Sequence, residues 1–188
     1  MNFENQFNKI LIDHEKIIKQ LDCETLSKIT RTLIQHLNQE GKILLCGNGG
    51  SLSLCQHFAA ECLVRFEHPR PALPAIVLAP DSPSITAASN DFSFEEIFIR
   101  SLEALGNSND VLLAFSTSGE SRNVLQAVVR AQQLGISTIA FTGKPSSILA
   151  KQADLALTFS EHSTARLQEA HQLAIHMICD ALDQSFSQ

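Results

Sequence analysis

The sequence predicts an α/β fold, a doubly wound domain built on a parallel sheet. Three observations lead there. Five short apolar runs recur from Lys42 onward, helix-length amphipathic patterns separate them, and the runs are apolar on both faces. Strands buried on both faces and joined by helices belong to parallel sheets covered on each side.

In chain order, Phe3, Phe7, Ile10, Leu11, His14, Ile17, Ile18 and Leu21 recur at intervals of three and four. Leu26, Ile29, Leu33, Ile34 and Leu37 do the same before Gly41. Residues 1–40 therefore read as a pair of amphipathic helices that cover an edge of the core or build an oligomeric bundle. The strands are "KILLC" (42–46), "AIVLA" (75–79), "DVLLAFS" (110–116), "STIAFT" (137–142) and "DLALTF" (154–159). Helices are expected around 52–66, 82–89, 94–105, 121–134 and 146–152, with a long final helix over 164–185. The proline-bearing "EHPRPALP" (67–74) reads as a rigid connection, because proline restricts its own φ and disfavours helix in the residue before it. Residues 41–188 form the α/β core, and 1–188 is read as one domain.

A net charge of -6 and the absence of a basic run exclude broad electrostatic binding to nucleic acid or anionic membrane. No apolar segment approaches the roughly 18–20 residues that span a bilayer, and the N-terminus lacks a signal-peptide pattern, so a soluble cytoplasmic protein is expected. Five cysteines, an odd number without C-x-x-C spacing, read as mostly buried small hydrophobes in a reducing compartment.

Ligands of such sheets sit beyond the carboxyl ends of the strands. Two of those ends carry loops of small residues, "GNGGS" (47–51) and "STSGES" (116–121). Hydroxyls and orphan N–H groups at a helix start suit a phosphate ester. Ser116, Thr117, Ser118 and Ser121 offer four hydroxyls in six residues, which compensates for the lack of a neighbouring lysine or arginine. "GNGGSL" lacks the third glycine of the dinucleotide fingerprint and no P-loop pattern occurs, so a phosphorylated small molecule fits better than a nucleotide.

His57 and Glu61 stand four apart on the helix after the first loop, about 40° apart around its axis. On the last helix Gln168, Gln172 and His176 form a polar row in an apolar pattern, with Gln168 and His176 about 80° apart on one flank. His14, His36, His68, His162 and His171 lack such company and read as ordinary hydrogen-bonded residues.

"CGNGGS…QHFAAE", "SND" (89–91), "STSGES", "TGK" (142–144) and "ARLQEAHQLAIHMICDALD" (165–183) together resemble the bacterial phosphoheptose isomerases of the sugar isomerase (SIS) family. The resemblance runs from about Gly41 to Asp183. It implies a five-stranded flavodoxin-like SIS domain and a homotetramer whose N-terminal helices build a central bundle, with sites at subunit interfaces. It also implies conversion of sedoheptulose 7-phosphate into D-glycero-D-manno-heptose 7-phosphate, towards ADP-heptose for lipopolysaccharide. Zinc would be held by residues matching His57, Glu61, Gln168 and His176. Substrate contacts map onto Asn48, Gly49, Gly50, Ser51, Glu61, Asn90, Asp91, Ser116, Thr117, Ser118, Ser121 and Gln168. Aldose–ketose isomerisation needs a base, an acid and a means of stabilising an enediolate, which points to Glu61 as base and His176 as acid.

Two positions depart from the catalytic pattern. Leu54 and Ala165 stand where many catalytic relatives carry aspartate. "ECLVRF" (61–66) and "ICDALD" also resemble a second SIS branch, the DiaA-type regulators that bind the replication initiator DnaA. A sugar-phosphate-sensing SIS domain without catalysis is the third reading. Retention of both Glu61 and His176 favours the isomerase.

Overall fold

In the computed structural model, which describes residues 2–79, 81–160 and 163–187, five parallel strands form one sheet in the order β2-β1-β3-β4-β5. His162 lies outside the described residues. The strands are β1 (Ile43–Gly47), β2 (Ala75–Val77), β3 (Val111–Ser116), β4 (Ser137–Thr142) and β5 (Leu155–Leu157). The helices are α1 (Phe3–Ile18), α2 (Cys23–Asn38), α3 (Gly50–Leu63), α4 (Ser82–Asp91), α5 (Ile97–Leu105), α6 (Arg122–Gln133), α7 (Ile148–Gln152) and α8 (Thr164–Phe186). The predicted helix over 94–105 divides into a 3₁₀ turn at Phe94–Glu96 and then α5. The outer strands β2 and β5 are shorter than their apolar runs, because each pairs with one neighbour only.

Alternation along each strand sorts two cores. Ile43, Leu45, Val111, Leu113, Phe115, Ile139 and Phe141 face α2, α3 and α8. Leu44, Cys46, Leu112, Ala114 and Ala140 face α5 and α6. The period of two in a pleated strand produces this division, and burial on both faces explains the continuous apolar runs.

The N-terminal pair packs on the α8 side. Asp22 caps α2 by accepting from the Glu24 and Thr25 amides at 2.9 and 3.3 Å. Ile17, Leu26, Ile29 and Leu33 are buried in the first core, while Phe3, Phe7 and Leu11 on α1 remain 58%, 59% and 65% exposed. Four cysteines are buried and Cys23 is exposed. Among the described residues no helix is long and apolar enough to cross a membrane.

Candidate active site

β1 and β3 are neighbours in register, Gly47 opposite Phe115, so their carboxyl ends deliver the two predicted loops side by side. Gly49 occupies φ +53, the left-handed region that glycine enters without strain, and α3 starts at the next residue. At Gly50 the end of the Gln168 side chain lies against the loop, 2.5 Å from where a Cβ would stand, so a side chain there would displace Gln168. Asn48 and Asn123 exchange two amide hydrogen bonds of 2.8 Å, which ties the first loop to α6. Asn123 was missed in the sequence because it follows the serine loop as an ordinary helix residue. Ser51 is buried in the first turn of α3.

In the second loop the Ser116 hydroxyl donates to Ser121 Oγ at 3.1 Å and accepts from the Gly119 amide at 3.1 Å. Ser118 Oγ lies 3.4 Å from Ser116 Oγ and accepts from the Glu120 amide. Ser121 stands at the N-cap position of α6 but makes no side-chain cap bond. Its oxygen is engaged with Ser116, so the helix start keeps donors for a ligand. Gly119 has φ +67, and a Cβ there would meet Ser147 Cβ at 2.4 Å. Thr117 and Ser118 open onto a cavity of about 440 Å³ that Lys144, Ser146 and Thr164 also line. Lys144 corrects the expectation of no neighbouring cation. It is 26 residues beyond Ser118 in sequence and adjacent in space.

The ionisable cluster assembles between α3 and α8. His57 Nε2 and His176 Nε2 are 2.9 Å apart, and Glu61 Oε1 is 3.5 Å from His57 Nε2. Gln172 Nε2 lies 2.5 Å from the same His176 nitrogen. Gln168 lies one turn earlier, against Gly50, and lines a second cavity of about 580 Å³ together with Gln172 and His176. Burial, with a smaller contribution from His57, lowers the His176 pKa against the opposing pull of Glu61. The ring is thereby kept neutral, with a lone pair to offer.

That second cavity is lined by both Leu54 and Ala165, together with His14, Glu169 and Leu173. The two departures seen in the sequence thus meet at a single place. A carboxylate is nonetheless present there, because Glu169 Oε2 is 2.7 Å from His14 Nδ1 and its other oxygen pairs with Arg166. Asn90 and Asp91 close α4, exposed, with the Asn90 amide donating to Asp91 Oδ1 at 2.9 Å.

The remaining histidines divide. His14 and His36 are hydrogen-bonded as expected, to Glu169 and to the Asn109 carbonyl. His68 lies in the turn after α3 rather than in a helix, near Glu67 and Asp180, whose ligand-type atoms lie within 4.8 Å of one another on the surface. His171 departs from expectation. It is fully buried among Phe115, Phe141 and Phe159, and among the described residues neither ring nitrogen has a hydrogen-bond partner.

A family model for the SIS domain matches residues 5–143. The phosphoheptose isomerase of Helicobacter pylori (strain P12) is 42% identical over 181 residues, covering 95% of this chain and 94% of the relative. The chain belongs to the phosphoheptose isomerase branch of the SIS family. The phosphoheptose isomerase of Chromohalobacter salexigens is 46% identical over 158 residues, covering 82% of this chain and 80% of that one. Among solved structures, phosphoheptose isomerase GmhA from Neisseria gonorrhoeae superposes with a TM-score of 0.87 at 35% identity over 97% of both chains. A phosphoheptose isomerase from Francisella tularensis gives 0.89 at 36% identity, covering 98% of this chain and all of that one. Likeness along nearly the full length includes α1, α2 and α8, the elements outside the repeating βα pattern.

Proposed function

We propose that this chain is an aldose–ketose isomerase that converts D-sedoheptulose 7-phosphate into D-glycero-D-manno-heptose 7-phosphate. The observation that carries this reading is the convergence of His57, Glu61 and His176 between α3 and α8, beside two phosphate-type loops. Full-length likeness to phosphoheptose isomerases favours it over a replication regulator or a sugar sensor.

The reaction moves one proton from C1 of the ketose to C2 and another from the C1 hydroxyl to the former carbonyl oxygen. Glu61 is placed to accept the carbon-bound proton and return it to the neighbouring carbon, since a carboxylate serves as base and then as acid. His176, neutral at pH 7, exchanges the proton between the two oxygens. The hydroxyls of Ser116, Thr117, Ser118 and Ser121 hold the phosphate end, while Asn48, Gly49, Gly50 and Ser51 form the opposite wall beside Gln168. Asn90 and Asp91 complete the polyol contacts.

The donor set suits zinc. Two imidazole nitrogens 2.9 Å apart and a carboxylate oxygen 3.5 Å from one of them are nitrogen and oxygen donors of the kind zinc takes. His57, Glu61, His176 and Gln168 would hold the ion, in exchange for the contact that Gln172 makes with the same His176 nitrogen. When bound, zinc polarises the carbonyl and stabilises negative charge on the enediolate oxygen.

We further read residues 1–188 as one domain, supported by the packing of α1 and α2 on α8. The exposed apolar stripe of α1 supports a homotetramer. A cytoplasmic role in heptose supply for lipopolysaccharide follows from the substrate. Purified protein incubated with sedoheptulose 7-phosphate should form the aldose phosphate, and Glu61→Gln should abolish this. An inactive wild type that binds the replication initiator would overturn the reading.

A further inference from the structure

We propose that Lys144 anchors the phosphate of the substrate and that Glu120 opposes it, so that this pair sets the preference of the site for phosphorylated sugars. The inference deepens the isomerase reading and rests on it for the identity of the sugar.

The argument begins with strand register. β3 and β4 pair in parallel with Ser116 opposite Thr142, so whatever follows each residue emerges at the same level of the sheet. After Ser116 comes the serine loop. After Thr142 come Gly143 and Lys144. The two loops are joined, because the Leu149 amide donates to the Gly119 carbonyl at 3.1 Å and Gly119 sits against Ser147. The Lys144 backbone is fixed from both sides. Its carbonyl accepts from the Ser147 amide at 3.0 Å, and the preceding carbonyl, Gly143, accepts from Phe159 at 2.8 Å.

The cavity between these loops is lined by hydroxyls of Thr117, Ser118, Ser146 and Thr164. Hydroxyls donate to a phosphate but do not neutralise it, and a dianion taken from water needs a counter-charge. Lys144 is the cation lining this cavity, and among the described residues no carboxylate lies in ion-pair contact with it. Its ammonium is thus available to a ligand. Glu120 lines the same cavity and contributes the opposite sign. The cavity is close to neutral with both side chains present, and becomes anionic if Lys144 is removed.

Lys144→Met, Lys144→Arg and Glu120→Gln test this through two readouts, isomerisation kinetics with sedoheptulose 7-phosphate and calorimetric titration with inorganic phosphate. Thermal midpoints confirm folding, which an exposed side chain should leave unchanged. Lys144→Met should raise KM and the phosphate Kd together by roughly 10- to 100-fold, as expected for a hydrogen bond to a charged group. Its kcat should stay within about twofold, because the phosphate is held equally in ground and transition states. Lys144→Arg should recover most of the loss, and Glu120→Gln should tighten phosphate binding. An unchanged phosphate Kd in Lys144→Met, a fall in kcat at constant KM, or a wild type that binds no phosphate overturns the proposal. If the wild type binds phosphate through Lys144 yet turns over no heptose phosphate, the isomerase reading falls and the anchoring role stands.

Discussion

The guanidinium of Arg70 donates from Nε to Asp183 at 2.9 Å, and neither side chain has any exposed surface. The other guanidinium nitrogens take the carbonyls of Glu61 and Cys62 at 2.6 and 2.7 Å, so one buried ion pair clamps the end of α3 to α8. Asp183 also accepts the amides of Glu67 and His68 at 2.8 and 2.7 Å. Burial alone would raise its pKa. The two amides and Arg70 outweigh that and hold the carboxyl below its ordinary value.

Removing either partner strands a buried charge and should cost about 3–5 kcal/mol. Asp183→Asn and Arg70→Met are therefore expected to shift the urea midpoint far downward. Because Arg70 holds the Glu61 carbonyl, kcat should fall in any fraction that still folds. A midpoint equal to wild type would show that the clamp is dispensable.

His171 makes acid sensitivity predictable. Burial lowers its pKa from 6.5 to about 4. Below pH 6.5 the unfolded chain takes up a proton that the folded chain refuses, so stability falls as pH drops from 6.5 to about 4 and this contribution then levels off. The loss approaches about 3 kcal/mol at 1.36 kcal/mol per pKa unit. His171→Leu should remove that part of the pH dependence and stabilise the neutral protein. Parallel profiles in denaturant titrations at pH 7 and pH 4.5 would contradict it.

Metal dependence should follow the donor set. Exhaustive chelation is expected to abolish turnover and zinc to restore it. His57→Ala and His176→Ala should each lower bound zinc, measured by elemental analysis, and leave the thermal midpoint of the metal-free protein nearly unchanged because His57 is exposed and His176 half-buried. Full zinc content in both variants would remove these residues from the site.

Gly119→Ala should disturb the serine loop. A side chain at φ +67 costs of order 1–3 kcal/mol, and its Cβ would also displace Ser147. The expected result is a higher KM for the sugar phosphate with a modest loss of stability. Gly49→Ala shares the backbone strain but meets no atom of the described residues within 4 Å, so it should be the milder of the two.

Much of the fold was legible because its signals are local. The run "STIAFT" became Ser137–Thr142 unchanged, and 164–185 became Thr164–Phe186, since periodicity and a capping serine act within a few residues. The rows His57/Glu61 and Gln168/Gln172/His176 were also legible, as helical spacing fixes which residues share a face. That the two rows meet depends on how α8 crosses α3, whereas the contact of Gln172 with the His176 nitrogen is an i,i+4 pair local to α8.

The sequence by itself determined the strands, the helices, both glycine- and serine-rich loops and the pairs of site residues on each helix, because these follow from backbone preferences and spacing along one chain. Tertiary structure alone decided that Lys144 joins the serine loop, that Leu54 and Ala165 line one cavity with Glu169, that Arg70 finds Asp183, and that His171 lies buried among three phenylalanines. Each of these depends on strand order and helix packing, which bring together groups far apart in sequence, and no local pattern encodes which distant partner will arrive.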